Sequence, residues 1–143
     1  MVFAVSALLI STPYTYMLRI IIADDHPVVM QAMKQIIQEE FPAAHVEEAA
    51  DTTSLLEKVL NEHWDLVISD LAMPGGGGLL ALKKIKQARQ NLPVLIVSTY
   101  PADQYRIRVL NAGAEEFICK DSLPNDLITY ARHILGNTKK TRQ

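Results

Sequence analysis

Five polar residues of this 143-residue chain stand where apolar runs end. Asp24 and Asp25 follow "LRIIIA", Asp70 follows "DLVIS", Ser98 closes "PVLIVS" and Lys120 closes "EFICK". Three carboxylates brought to one place repel each other and are held there stably only with a cation between them. A hard divalent ion, Mg²⁺ (or Mn²⁺), fits: it takes one or two carboxylates directly, keeps several waters and leaves room for a phosphate oxygen. Asp25 and Asp70 are read as direct ligands and Asp24 as a ligand through water. The backbone carbonyl of Ala72 supplies a further oxygen if the chain turns after Asp70. A carboxylate beside such an ion can attack phosphorus and form an aspartyl phosphate. Asp70, alone at its strand end, is the candidate for that role. Lys120 would pair with the phosphoryl oxygens as a point charge, and the Ser98 hydroxyl would donate to one of them.

These residues meet only if their runs are neighbouring strands pointing the same way. The runs at 18–23, 65–69, 93–98 and 116–120 are apolar nearly throughout, whereas "HVEEAA" at 45–50 is more polar. Strands that do not alternate are buried on both faces, the habit of a parallel sheet covered by helices. Helical periodicity lies between them, with apolar residues at Val29, Met33, Ile36 and Ile37, at Leu55, Leu56, Val59 and Leu60, and at Leu79, Leu82 and Ile85. "ADQYRIRVLNAG" and "LPNDLITYARHILG" complete the set, with Gly113 and Gly136 read as helix-ending glycines and Ser122 or Asp121 as the cap of the last helix. Five βα units with short connections predict a doubly wound α/β domain, in which ligands bind beyond the strand C-terminal ends.

Composition bounds the function. A net charge of −2 gives no global basic field for nucleic acid or an anionic membrane, and 49% hydrophobic residues suit one domain with a proper core. The single Cys119 cannot form an internal bridge and suits a reducing, cytoplasmic setting. Residues 1–16 carry an apolar stretch from Val2 to Ile10, without a basic flank and far short of the roughly 20 residues that span a bilayer. They are read as an extension outside the core. Residues 17–136 are read as the domain and 137–143 as the start of a linker or tail.

"MPGGGGL" lacks the Gly-Lys-Ser/Thr of a phosphate-cradling loop, so the glycines are expected to be a flexible loop before the third helix. His26, at a helix entry before a proline, is expected to turn its ring away from a hard cation. Ser98 has the alternative of capping its own loop, Lys120 of being a surface lysine and Phe117 of being core.

"IIIADDHPVV", "VISDLAMPGGGGL", "VLIVSTY" and "NAGAEEFICKDS" together resemble the receiver domain of two-component response regulators, over Leu18 to Leu135. "DDHP" and "GA..F..KD" are similar to the subclass with a LuxR-type helix-turn-helix output, named for nitrate and nitrogen-fixation regulators. The resemblance implies a flavodoxin-like five-stranded sheet in the order 2-1-3-4-5 with five helices. It implies Asp70 as phosphoacceptor, Asp24 and Asp25 as the acidic pocket, Ser98 as switch hydroxyl, Phe117 as switch aromatic and Lys120 as the phosphate-contacting lysine. It further implies a sensor histidine kinase as phosphoryl donor, homodimerisation on phosphorylation, and a readout face made of the fourth helix, fifth strand and fifth helix. Gly76, Gly77 and Leu80 stand where the family often has Met-Asp and Glu, which implies a looser loop after Asp70. A Mg²⁺-dependent phosphatase with an Asp nucleophile is the alternative, but its acid/base Asp would fall at Ala72. With a net charge of −2 and "KKTR" at 139–142 lying in a stretch without the apolar periodicity of a recognition helix, the chain is not expected to read DNA itself. The reading frame is expected to continue into a DNA-binding domain.

Overall fold

The computed structural model describes residues 17–142; the extension at 1–16 lies outside them. Five strands alternate with five helices: β1 Arg19–Ala23, α1 Pro27–Glu40, β2 His45–Ala49, α2 Thr52–Asn61, β3 Leu66–Asp70, α3 Gly77–Ala88, β4 Val94–Ser98, α4 Ala102–Asn111, β5 Glu116–Cys119 and α5 Asn125–Arg142. All pairings are parallel and the sheet order is β2-β1-β3-β4-β5, as expected. Every residue of β3 and β4 is buried, which explains their uninterrupted apolar runs. β2 lies at the sheet edge and is half-exposed for four of its five residues, which is why its sequence is mixed.

The pleat sends alternate side chains to two cores. Ile21, Val67, Val94, Ile96 and Phe117 face α2, α3 and α4, whereas Ile20, Ile22, Ile68, Leu95 and Ile118 face α1 and α5. Burying each such aliphatic side chain stabilises the fold by about 1.5–3 kcal/mol. The helices share this anchoring unequally. α1 buries Met30, Met33 and Ile37, and α3 buries Ala81, Leu82 and Ile85, but α4 buries Val109 alone.

The glycine run is a built turn rather than the expected flexible loop. Gly75, Gly76 and Gly77 take φ of 93°, 119° and 84°, a left-handed series that L side chains resist. Gly78 has no such φ but has no room: a Cβ there would lie 2.1 Å from the Asp70 carbonyl oxygen. Thr52 pins the turn from the start of α2. Its backbone N–H donates to the Pro74 carbonyl (2.9 Å), and its Oγ1 accepts from the Gly77 N–H (3.0 Å).

At the C-terminal end two expectations are corrected. Lys120–Ser122 form a 3₁₀ turn and Leu123 is extended before Pro124, so α5 starts at Asn125 and neither Asp121 nor Ser122 caps it. Gly136 does not end α5, which runs on to Arg142 through residues read as a tail. A helical glycine costs only about 1 kcal/mol against alanine, too little to stop a helix. Gly113, by contrast, follows α4 with φ 110° as expected.

Gly78→Ala should therefore destabilise the protein by about 1–3 kcal/mol, the usual cost of overpacking. Gly136→Ala, whose Cβ meets nothing within 4 Å, should stabilise it by about 0.5–1 kcal/mol. Urea unfolding of the two variants beside wild type checks both signs.

Candidate functional site

Parallel strands deliver their last residues to one edge, and here that edge is acidic. Asp24 follows β1 and is 2% exposed, and Asp70 ends β3 and is 3% exposed. Asp25 stands beside them, half open to solvent. Lys120, the first residue after β5, reaches back across the edge. Its Nζ lies 2.9 Å from Asp24 Oδ2 and 3.4 Å from Asp70 Oδ2. Both carboxylate oxygens are buried, and the Lys120 ammonium is the one charged partner they share. One ammonium is shared by two buried acids, with Asp25 beside them.

The electrostatics register this shortage. Burial pushes the Asp70 carboxyl above its ordinary 3.8 and the Asp24 charge pushes it further, while Lys120 and the Ala72 N–H pull it back without cancelling the rise. A divalent cation among these oxygens would remove the penalty, so the donor set fits a hard ion. Asp25, Asp70, Ala72, Ser98 and Lys120 line one open cleft of about 730 Å³. Ser98, buried at the end of β4, accepts the Tyr100 N–H at 2.9 Å through its Oγ. This is the loop-capping role, and it leaves the hydroxyl proton to donate elsewhere. Phe117 is buried in the core on the α4 side of the sheet and does not line the cleft.

His26 contradicts the expectation that its ring turns away. Its Nδ1 lies 3.0 Å from Asp24 Oδ1, 3.1 Å from Asp25 Oδ1 and 3.9 Å from Asp70 Oδ2. The cause is a tight turn: the His26 N–H donates to Asp24 Oδ1 at 2.8 Å, and Pro27 holds His26 extended as the N-cap of α1. The signal was present in "DDHP", as an Asp followed two residues on by the residue whose N–H it accepts. Sequence reasoning also missed a clasp between α4 and the start of β5. Arg106 of α4 donates twice to the Glu116 carboxylate, at 2.9 and 3.0 Å. Burial works to raise the Glu116 carboxyl, but Arg106, the Phe117 N–H and the Tyr130 hydroxyl of α5 outweigh it and hold it below the ordinary range.

A doubly wound sheet of order 2-1-3-4-5 with an acidic pocket and one lysine at its C-terminal edge defines a receiver-type phosphoacceptor fold. The chain belongs to the response regulator receiver domain family, whose model matches residues 20–132. It is 35% identical over 118 residues to the oxygen regulatory protein NreC of Staphylococcus epidermidis, covering 82% of this chain and 54% of the relative. The chain thus spans about half the length of that curated relative. Among solved structures it is similar to a CheY-like receiver domain protein from Methanospirillum hungatei (31% identity, TM-score 0.79, 88% of this chain and 99% of that one). It is also similar to a LuxR-family two-component response regulator from Aurantimonas (30% identity, TM-score 0.78, 85% and 87% covered). The phosphatase alternative finds no support in these relatives. Among the described residues no helix is long and apolar enough to cross a membrane.

The raised Asp70 carboxyl makes a stability prediction. A carboxyl whose folded pKa lies above its unfolded one binds protons better when folded, so stability is lost as pH rises from 3.8 through the folded value. Asp70→Asn should therefore be more stable than wild type at neutral pH without added metal, with the difference vanishing below the unfolded value. Thermal melts across pH read this directly. Equal melting at neutral pH would contradict it.

Proposed function

We propose that this chain is the phosphoryl-accepting switch of a phosphorelay. A sensor histidine kinase donates to Asp70, and the changed charge at the sheet edge is passed to an output. The observation that carries this reading is Asp70 in the wall of an open cleft, its Oδ2 opposite the Lys120 ammonium. In the transfer, an Asp70 carboxylate oxygen attacks the phosphorus of a phosphohistidine. The P–N bond breaks, and the leaving imidazole takes a proton from water. Mg²⁺ held by Asp25, Asp70 and the Ala72 carbonyl, with Asp24 through water, would neutralise phosphoryl charge. Lys120 leaves its carboxylates for a phosphoryl oxygen, and Ser98 donates its hydroxyl proton to another. The protein then turns over no external substrate; its chemistry is its own phosphorylation and dephosphorylation.

Ser98 and Phe117 lie on the same side of the sheet, which supports a path from the cleft to α4. We place the readout on α4, β5 and α5, with homodimerisation as one consequence and a cytoplasmic setting. Relatives named as an oxygen regulatory protein and as LuxR-family support DNA-directed output through a separate domain.

Acetyl phosphate with Mg²⁺ should add one phosphoryl group to the wild-type protein by intact-mass spectrometry, and none to Asp70→Asn. Titration calorimetry should show Mg²⁺ binding abolished in Asp25→Ala. Lys120→Ala and Ser98→Ala should keep some phosphorylation yet lose much of the hydrogen-exchange response to beryllofluoride. Responses identical to wild type in both variants would remove the division between acceptance and switching.

A further inference from the structure

His26 brings an imidazole nitrogen to a pocket otherwise made of oxygens. One ligand atom each from Asp24, Asp25, His26 and Asp70 falls within 4.8 Å of all the others. Around an ion with bonds of about 2.1 Å, adjacent ligands sit about 3 Å apart and opposite ones about 4 Å. Nδ1 shares a hydrogen-bond contact of 3.0 Å with Asp24 Oδ1, and its separations of 3.1 Å from Asp25 Oδ1 and 3.9 Å from Asp70 Oδ2 match an adjacent and an opposite position around an ion that Asp24 meets through water. Among the described residues, the buried Asp24 and Asp70 Oδ2 atoms have only the Lys120 ammonium as a positive charge opposite them, so the pocket stays short of positive charge.

We propose that His26 is a ligand of the divalent ion in this pocket and biases it toward ions of the first transition row over Mg²⁺. Imidazole suits such ions, whereas Mg²⁺ prefers an all-oxygen shell. Ligation needs the ring proton on Nε2, and the His26 side chain is 61% exposed, so solvent can hold a partner for that nitrogen. The turn from Asp24 and the extended backbone before Pro27 aim the ring without help from the ion. The inference rests on the divalent-ion reading of the cleft and adds the identity of the ion it prefers. No other histidine lines this cleft.

The test uses the full chain with Mn²⁺, Ni²⁺ and Mg²⁺ as probes. Electron spin-echo spectra of the Mn²⁺ complex should show nitrogen modulation in wild type and lose it in His26→Ala and His26→Asn. The asparagine keeps an amide donor for Asp24, so a purely structural hydrogen bond would survive in it. By calorimetry, the preference for Ni²⁺ over Mg²⁺ should fall about tenfold or more in both variants, the scale on which losing one group that supports a metal site is felt. Modulation absent from wild type, or persisting in both variants, overturns the assignment of His26 while leaving the carboxylate site intact. An unchanged preference overturns it too. Mn²⁺ binding that Asp25→Ala leaves unaltered overturns the site itself, and the ligand with it.

Discussion

Three clustered carboxylates with one ammonium among them is the constraint on which this structure turns. A buried charge without a partner is expensive, and here two buried acids share Lys120 while a third stands at the rim. Such an arrangement persists only because the surrounding fold gives the acids nowhere else to go. β1 and β3 are adjacent and central, buried on both faces, so their final residues cannot swing out to water without breaking the ladder. The imbalance is held in place by hydrophobic burial and is available to whatever positive charge or phosphoryl group enters.

The loop after Asp70 belongs to the same device. With glycine at 75, 76 and 77 the backbone can take its left-handed path, and with glycine at 78 helix α3 can start against the Asp70 carbonyl itself. The residues that replace the family's more frequent Met-Asp at 76 and 77 do not loosen the loop. They let it fold tightly onto Thr52, which ties the edge of the pocket to α2.

Much of this was legible in the residues. Uninterrupted apolar runs announced buried parallel strands, and polar residues closing those runs announced the pocket, because both signals depend only on local order along the chain. What stayed hidden depends on three-dimensional neighbours. The ring of His26 is aimed by a hydrogen bond to the side chain of Asp24, and Gly78 is needed because a carbonyl from β3 lies against it. Glu116 reads as an ordinary strand residue until Arg106 and Tyr130 arrive from two different helices. The end of α5 was misplaced for a simpler reason: Gly136 only weakens a helix, and the chain overrides so small a preference.

The weak anchoring of α4 has a thermodynamic meaning. Withdrawing Val109 from the core forfeits about 1.5–3 kcal/mol, which is about ten- to a hundredfold in population. The clasp from Arg106 adds little to that, because the guanidinium lies in solvent and its attraction is screened. With the partial burial of Tyr105 and Ala112 added, displaced arrangements of α4 lie about 3 kcal/mol or somewhat more above the packed one. A modest preference of the modified pocket for one of them is then enough to change which arrangement dominates.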